Sequence, residues 1–260
     1  VKNLTRQLNK FNKFWIKYQV PRRLPIRIQK IDKILILIIS IVISIISSYK
    51  ILDVPLITNK LLISWLITFL EMLLCCGFLI MISKKENPTI NTRQLVLIIG
   101  LLLIVQGLKL NFESLSPLSI IVPPALIISQ GMGTLTALTW VATAFINWPN
   151  TITVMNNYLL IITFISACIV SILGGNIRSR AQLLQLSILV PFGAFLGQVI
   201  FIGLNKNQFN EFNIDRLFFN QGDIFSDSLL LGIFLLATIL LMPILESIFG
   251  LLTKARLLEL

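Results

Sequence analysis

Few of the 260 residues could do chemistry, and the most useful one for it is missing: the chain contains no histidine. Imidazole acid/base catalysis, His metal ligation and a Ser-His-Asp triad are therefore excluded for these residues. Two carboxylates, Glu71 and Glu246, lie inside apolar runs, and each stands alone, so neither builds an acid/base pair or a calcium site. The three cysteines, Cys75, Cys76 and Cys168, also sit in apolar runs, so no disulfide framework or zinc knuckle is expected. No cofactor site is expected either. An ionised carboxylate at the depth of Glu71 costs about 2.5–3.5 kcal/mol on insertion scales, so this group must be neutral, paired or facing water. As a candidate intramembrane polar site we take Glu71 with Gln106 and Gln198; Thr134, Thr136, Thr139 and Thr143 could supply further hydrogen bonds to it. Glu246 lies near the end of the last run, within reach of water or of Lys254 and Arg256, which favours a paired structural role.

The elements that must hold these groups are membrane helices. The chain is 56% hydrophobic and only 13% charged, about half the ionic content of a soluble domain. Eight apolar runs follow one another: 34–52, 61–83, 94–110, 114–130, 132–147, 156–174, 182–204 and 228–251. The expected fold is all-α, a polytopic bundle of about eight spans, since a span needs about 20 mostly apolar residues. The stretch from 114 to 147 could be one long helix or two short ones. With two, 17 Lys and Arg fall on one side and five on the other (Lys50, Lys60, Lys109, Lys206 and Arg216), as the positive-inside rule requires. The reversal is then at Gly131-Met-Gly133, where glycine permits a tight turn, and both termini are cytoplasmic.

Ten of the 22 basic residues precede the first run, facing a single acid, Asp32. Leu4, Leu8, Phe11, Trp15 and Tyr18 recur at helical spacing on one face, with Lys2, Arg6, Lys10, Lys13 and Lys17 opposite. That pattern suits a helix lying in the headgroup plane of anionic lipid better than a nucleic-acid contact; Lys10, Lys13, Trp15, Lys17 and Tyr18 are its lipid-facing residues. Gly193-Ala-Phe-Leu-Gly197 is a small-xxx-small face, and Gly193 and Gly197 are expected to pack closely on a neighbouring helix. Pro123-Pro124, Pro191 and Pro243 each remove a helical hydrogen bond, and such breaks are expected to face protein or a cavity. The loop 205–227 carries Glu211, Asp215, Asp223 and Asp227 among five phenylalanines and reads as a solvated connector. The chain divides into a basic segment (1–33), a first span (34–52), a seven-helix domain (61–251) and a linker stub (252–260).

The last span and its sequel resemble a known junction. Pro243, Glu246, Phe249, Gly250, Thr253, Arg256, Leu257, Leu258, Glu259 and Leu260 match the pattern Pro-x-x-Glu-x-x-Phe-Gly-x-x-Thr-x-x-Arg-Leu-Leu-Glu-Leu of bacterial seven-transmembrane HD-type phosphohydrolases. Val122-Pro-Pro-Ala-Leu126, Gly131-Met-Gly133 and Arg178-Ser-Arg180 also look like that family's membrane region, and the resemblance covers 61–260. It implies an integral protein of the bacterial cytoplasmic membrane with an extracytoplasmic domain, seven helices and a cytosolic HD domain that hydrolyses cyclic di-AMP at a His/Asp metal site. Here only 53–60 separate the first two spans, the chain stops where the HD domain would begin, and the family's catalytic residues carry over onto nothing. The expected role is thus a non-catalytic sensory and transmission module with an HD domain as partner in cis or in trans. Pro243 would be the hinge, and Glu246, Phe249, Gly250, Thr253 and Arg256 the link whose continuation reorients what is attached. The alternatives are a small transporter or permease-type subunit, with Glu71 and the 114–147 helices lining a path, or a scaffold without ligand.

Overall fold

The computed structural model describes residues 38, 41, 42, 59–88, 90–111, 115–146, 148, 158–177, 179–204 and 224–251. Among them run seven helices: α1 (Asn59–Glu86), α2 (Thr92–Asn111), α3 (Pro117–Met132), α4 (Thr134–Ile146), α5 (Tyr158–Asn176), α6 (Arg180–Leu204) and α7 (Ile224–Phe249). The basic segment 1–33, most of the first span, most of the loop 205–227 and the stub 252–260 lie outside the described residues.

Side-chain contacts fix the direction of every helix. Trp148 meets the Lys109 ammonium 5.1 Å from its ring, so the end of α2 and the region after α4 share one end of the bundle. Phe195 of α6 meets Phe225 of α7 edge-on, at 6.3 Å between centroids, toward that end. At the other end, Asn87 after α1 donates to the Met132 carbonyl at the close of α3, and Gln94 at the start of α2 donates to Gly250 after α7. The helices therefore alternate in direction, and α3 and α4 are an antiparallel pair turned at Gly133. That is the two-helix arrangement expected from charge parity. Lys84, Lys85, Arg93 and Arg180 all fall at the end where α7 finishes, called here the basic end; Lys109 is at the opposite one.

Five helices are long and apolar enough to cross a membrane. The exceptions are α3 and α4, with 16 and 13 residues, shorter than the spans of 114–130 and 132–147 expected from the sequence. At 1.5 Å per residue, α4 rises only about 20 Å. Burial explains how α3 tolerates this. It occupies the centre of the bundle against α4, α5 and α7, with Leu118, Ile121, Val122, Ala125, Leu126 and Ile128 fully shielded. A helix apolar on every side belongs in such a position. Pro123 is buried within it, and Pro191 of α6 is buried against Gly232 of α7, so both of these breaks face protein. Pro243 of α7 does not: it is exposed.

Several hydroxyls in the apolar zone are satisfied locally. Thr163, Ser171, Ser187 and Ser228 bond to carbonyls three or four residues back in their own helices, as expected where water cannot serve. Trp140 of α4, fully buried, donates its indole N–H to the Ile98 carbonyl of α2 at 3.0 Å, pairing its one polar atom.

Candidate functional site

The expected trio of Glu71, Gln106 and Gln198 does not form one site. Glu71 is exposed on α1, a helix that packs chiefly on α4. Gln106 is buried in α2 and Gln198 in α6, and α6 packs on α5 and α7. Gln106 and Gln198 lie toward the opposite end of the bundle, whereas Glu71 is near mid-depth of α1. The threonines of α4 are engaged elsewhere. Thr136 binds Glu86, and Thr139 and Thr143 bond to backbone carbonyls of their own helix. Gly193 and Gly197 also depart from expectation. A Cβ on Gly193 would meet nothing within 4 Å, and one on Gly197 only Ile162 at 3.8 Å. Both line an apolar groove of ≈ 180 Å³ between α5 and α6 instead of a close helix crossing.

Polar chemistry is concentrated at the basic end. Glu86, the last residue of α1, reaches across to the start of α4, where its carboxylate accepts from the Leu135 N–H (3.2 Å), the Thr136 N–H (2.7 Å) and the Thr136 hydroxyl (2.8 Å). The first N–H groups of a helix have no partner of their own, and they carry partial positive charge. Here a carboxylate from another helix supplies the cap. Gly133, at φ 115°, makes this possible: the position suits glycine, and a Cβ there would collide with the Glu86 carboxylate. Gly174 and Gly175 at the end of α5 press on Ser129 and Thr134, which brings the α3–α4 turn against α5.

The end of α7 is tied into the same cluster. Gly250 has φ 63°, and the Leu251 N–H reaches back to the Glu246 carbonyl at 3.2 Å, a Schellman cap that closes the helix. The helix ends at Phe249, not at residue 251, and the chain leaves it through a left-handed turn at Gly250. Thr253 and Arg256 lie outside the described residues; Phe249 is half-buried and Gly250 exposed. Leu251 is buried against Gly131 of α3, where a Cβ would meet its Cδ2 at 3.0 Å. Gln94 does double duty. Its Oε1 accepts from the Asn91 N–H at 3.1 Å, closing the start of α2, and its Nε2 donates to the Gly250 carbonyl at 3.1 Å.

One turn above this cap, Gln130, Arg180, Met242, Pro243 and Glu246 line a crevice of ≈ 20 Å³ where α3, α6 and α7 meet. Glu246 is buried. The described cation lining the crevice with it is Arg180 of α6, whereas Lys254 and Arg256, its expected partners, lie outside the described residues. Gln130 donates its amide N–H to the Gly174 carbonyl of α5, while its buried Oε1 has no hydrogen-bond partner among the described residues. Pro243, expected to face protein or a cavity, is exposed and lines the crevice. Sequence reasoning missed Glu86, Gln94 and Gln130 as site residues. Their partners are 50, 156 and 44 positions away, and no local pattern encodes such distances.

A family model described as a 7TM receptor with intracellular HD hydrolase matches residues 62–253. No curated protein and no solved structure matches the chain.

Proposed function

This chain belongs to the family of seven-transmembrane receptors with an intracellular HD hydrolase, and we propose that it is the module that senses and transmits, without catalysing. In this reading it resides in the bacterial cytoplasmic membrane with its basic end toward the cytoplasm. A stimulus in the bilayer or at the opposite end shifts α7, and the shift alters an HD domain, joined in cis or recruited in trans, that hydrolyses cyclic di-AMP. The basic segment 1–33 would bind anionic headgroups.

The observation that carries the reading is the attachment of the α7 terminus. The Gly250 carbonyl just past the helix is held by Gln94 of α2, and Leu251 sits on Gly131 of α3, so movement among these helices is converted into displacement of the segment that follows. The absence of histidine from the 260 residues supports a non-catalytic role, because the HD chemistry requires His and Asp metal ligands. Pro243 contributes the bend, since the Ile239 carbonyl loses its helical donor there.

The test is cyclic di-AMP hydrolysis by the chain continued in frame into an HD domain of this family, in proteoliposomes. Pro243→Ala should leave insertion intact and change the rate by roughly two- to thirtyfold, the range that 0.5–2 kcal/mol of coupling produces. An unchanged rate would remove α7 bending from the mechanism.

A further inference from the structure

Helix α1 has two faces. Met72, Cys76, Leu79 and Ile80 are buried on the side that enters the bundle, whereas Ile67, Leu70, Leu74, Phe78 and Met81 are 45–63% exposed on the other. Glu71 stands in the middle of this second face and is itself exposed. It follows Lys60 by 11 residues and precedes Lys84 by 13. At 1.5 Å per residue these cations are about 16 and 20 Å away, too far for so short a side chain to reach the water around them. No hydrogen bond or ion pair to its carboxyl occurs among the described residues. Acyl chains offer neither donor nor acceptor, so the neighbour that stabilises this group must carry both.

Three features favour a second copy of this chain as that neighbour. The cations gathered at the basic end give every copy the same orientation in the bilayer. A twofold axis then runs along the membrane normal and sets two α1 helices side by side, with both Glu71 groups at one depth. A carboxyl group that holds its proton donates and accepts, so two such groups satisfy each other. The face is also self-complementary, as a twofold contact requires. Leu74 and Phe78 project beside Gly77, where a Cβ would meet nothing within 4 Å. Ile67, Glu71, Leu74, Phe78 and Met81 follow one another at steps of four and three residues, the spacing of a seam between paired helices. A single polar group within such a seam fixes its register and the number of strands.

We propose that two copies of this chain associate in the membrane through α1, with their Glu71 carboxyls hydrogen-bonded to each other at the centre of the contact. The pairing involves neither α7 nor any attached domain, so it stands or falls apart from the transmission role.

The test uses the full chain with Cys75, Cys76 and Cys168 replaced by serine, in vesicles of phosphatidylethanolamine and phosphatidylglycerol. Dyes are attached through Thr92→Cys, exposed at the basic end, and energy transfer between donor- and acceptor-labelled copies is followed as lipid dilutes them. Transfer should exceed that of randomly placed copies and fit a dimer. Glu71→Leu should weaken association roughly three- to thirtyfold, the range of hydrogen bonds between membrane helices. Glu71→Gln should stay within about twofold, because an amide also donates and accepts. In a second measurement, Leu74→Cys should cross-link between copies on the order of tenfold faster than Leu240→Cys. Both positions are lipid-exposed, but only the first brings two Cα atoms within the about 7 Å that a disulfide spans. Transfer no greater than random overturns the proposal and would mean that another segment, such as the first span, covers this face. Association unaffected by Glu71→Leu also overturns it. So do equal cross-linking rates at the two positions, a comparison that stands even if Glu71→Leu fails to fold.

Discussion

Helices α3 and α7 are both apolar, both carry proline, and they lie against each other, yet they are built in opposite ways. In α3, 14 of 16 residues are buried; in α7, seven of 26. Displacing α3 would unpack contacts on every side. Displacing α7 would exchange lipid for lipid over its exposed face, since acyl chains are as apolar as its side chains. α7 is held at its basic end by the bond from Gln94, the seat of Leu251 on Gly131 and the crevice at Glu246, and in its other half by Phe225 against Phe195, Gly232 against Pro191 and the buried Leu231 and Leu235. Under the proposed role, α3 is then the post and α7 the strut, whose foot is tied to α2 and α3.

The sharpest way to break this contrast is to truncate one side chain on each helix. Ile121→Ala in α3 removes a fully buried side chain and should lower stability by about 2–5 kcal/mol. Leu240→Ala in α7, 74% exposed, should stay within about 0.5 kcal/mol. Unfolding in mixed micelles measures both, and similar losses would erase the distinction. Next comes the turn at the foot of the post. Gly133→Ala forces a Cβ into the Glu86 carboxylate at positive φ and should cost about 2–4 kcal/mol by the same assay; a near-neutral result would mean that the turn relaxes freely. Glu86→Gln keeps one acceptor but loses the charge at the α4 N-terminus, for an expected loss of about 1 kcal/mol. Smallest in stability is Gln94→Leu, at about 0.5–1.5 kcal/mol, but it should still shift cyclic di-AMP turnover in the HD-joined chain, because it frees the foot of the strut. A rate equal to that of the unmodified chain would place the output elsewhere.

The helical class, the reversal at Gly133 and the gathering of basic residues at one end were all legible in the sequence. Apolar run length and charge parity depend on local composition, and lipid enforces both. The centrality of α3 was not legible, because a helix apolar on all sides reads alike whether lipid or protein surrounds it. The polar site was misplaced for a related reason. Glu71 drew attention as a carboxylate in an apolar run, yet it lies exposed on α1. Glu86, which follows two lysines and drew no reading from the sequence, caps a distant helix. Gly193 and Gly197 show the same limit, since glycine spacing permits a close crossing without supplying the partner. Glu246 and Gly250 were legible through the family pattern, but the burial of the first and the helix-closing turn at the second needed coordinates.

The central claim is that output passes through the seat of Leu251 on Gly131. The most direct test places cysteines at these two positions in an HD-joined chain whose Cys75, Cys76 and Cys168 have been replaced by serine, and follows cyclic di-AMP hydrolysis with the bridge closed and then reduced. The account predicts that the bridge forms readily and that the rate changes when the same molecules are reduced. A bridge that forms and leaves the rate identical before and after reduction would contradict it.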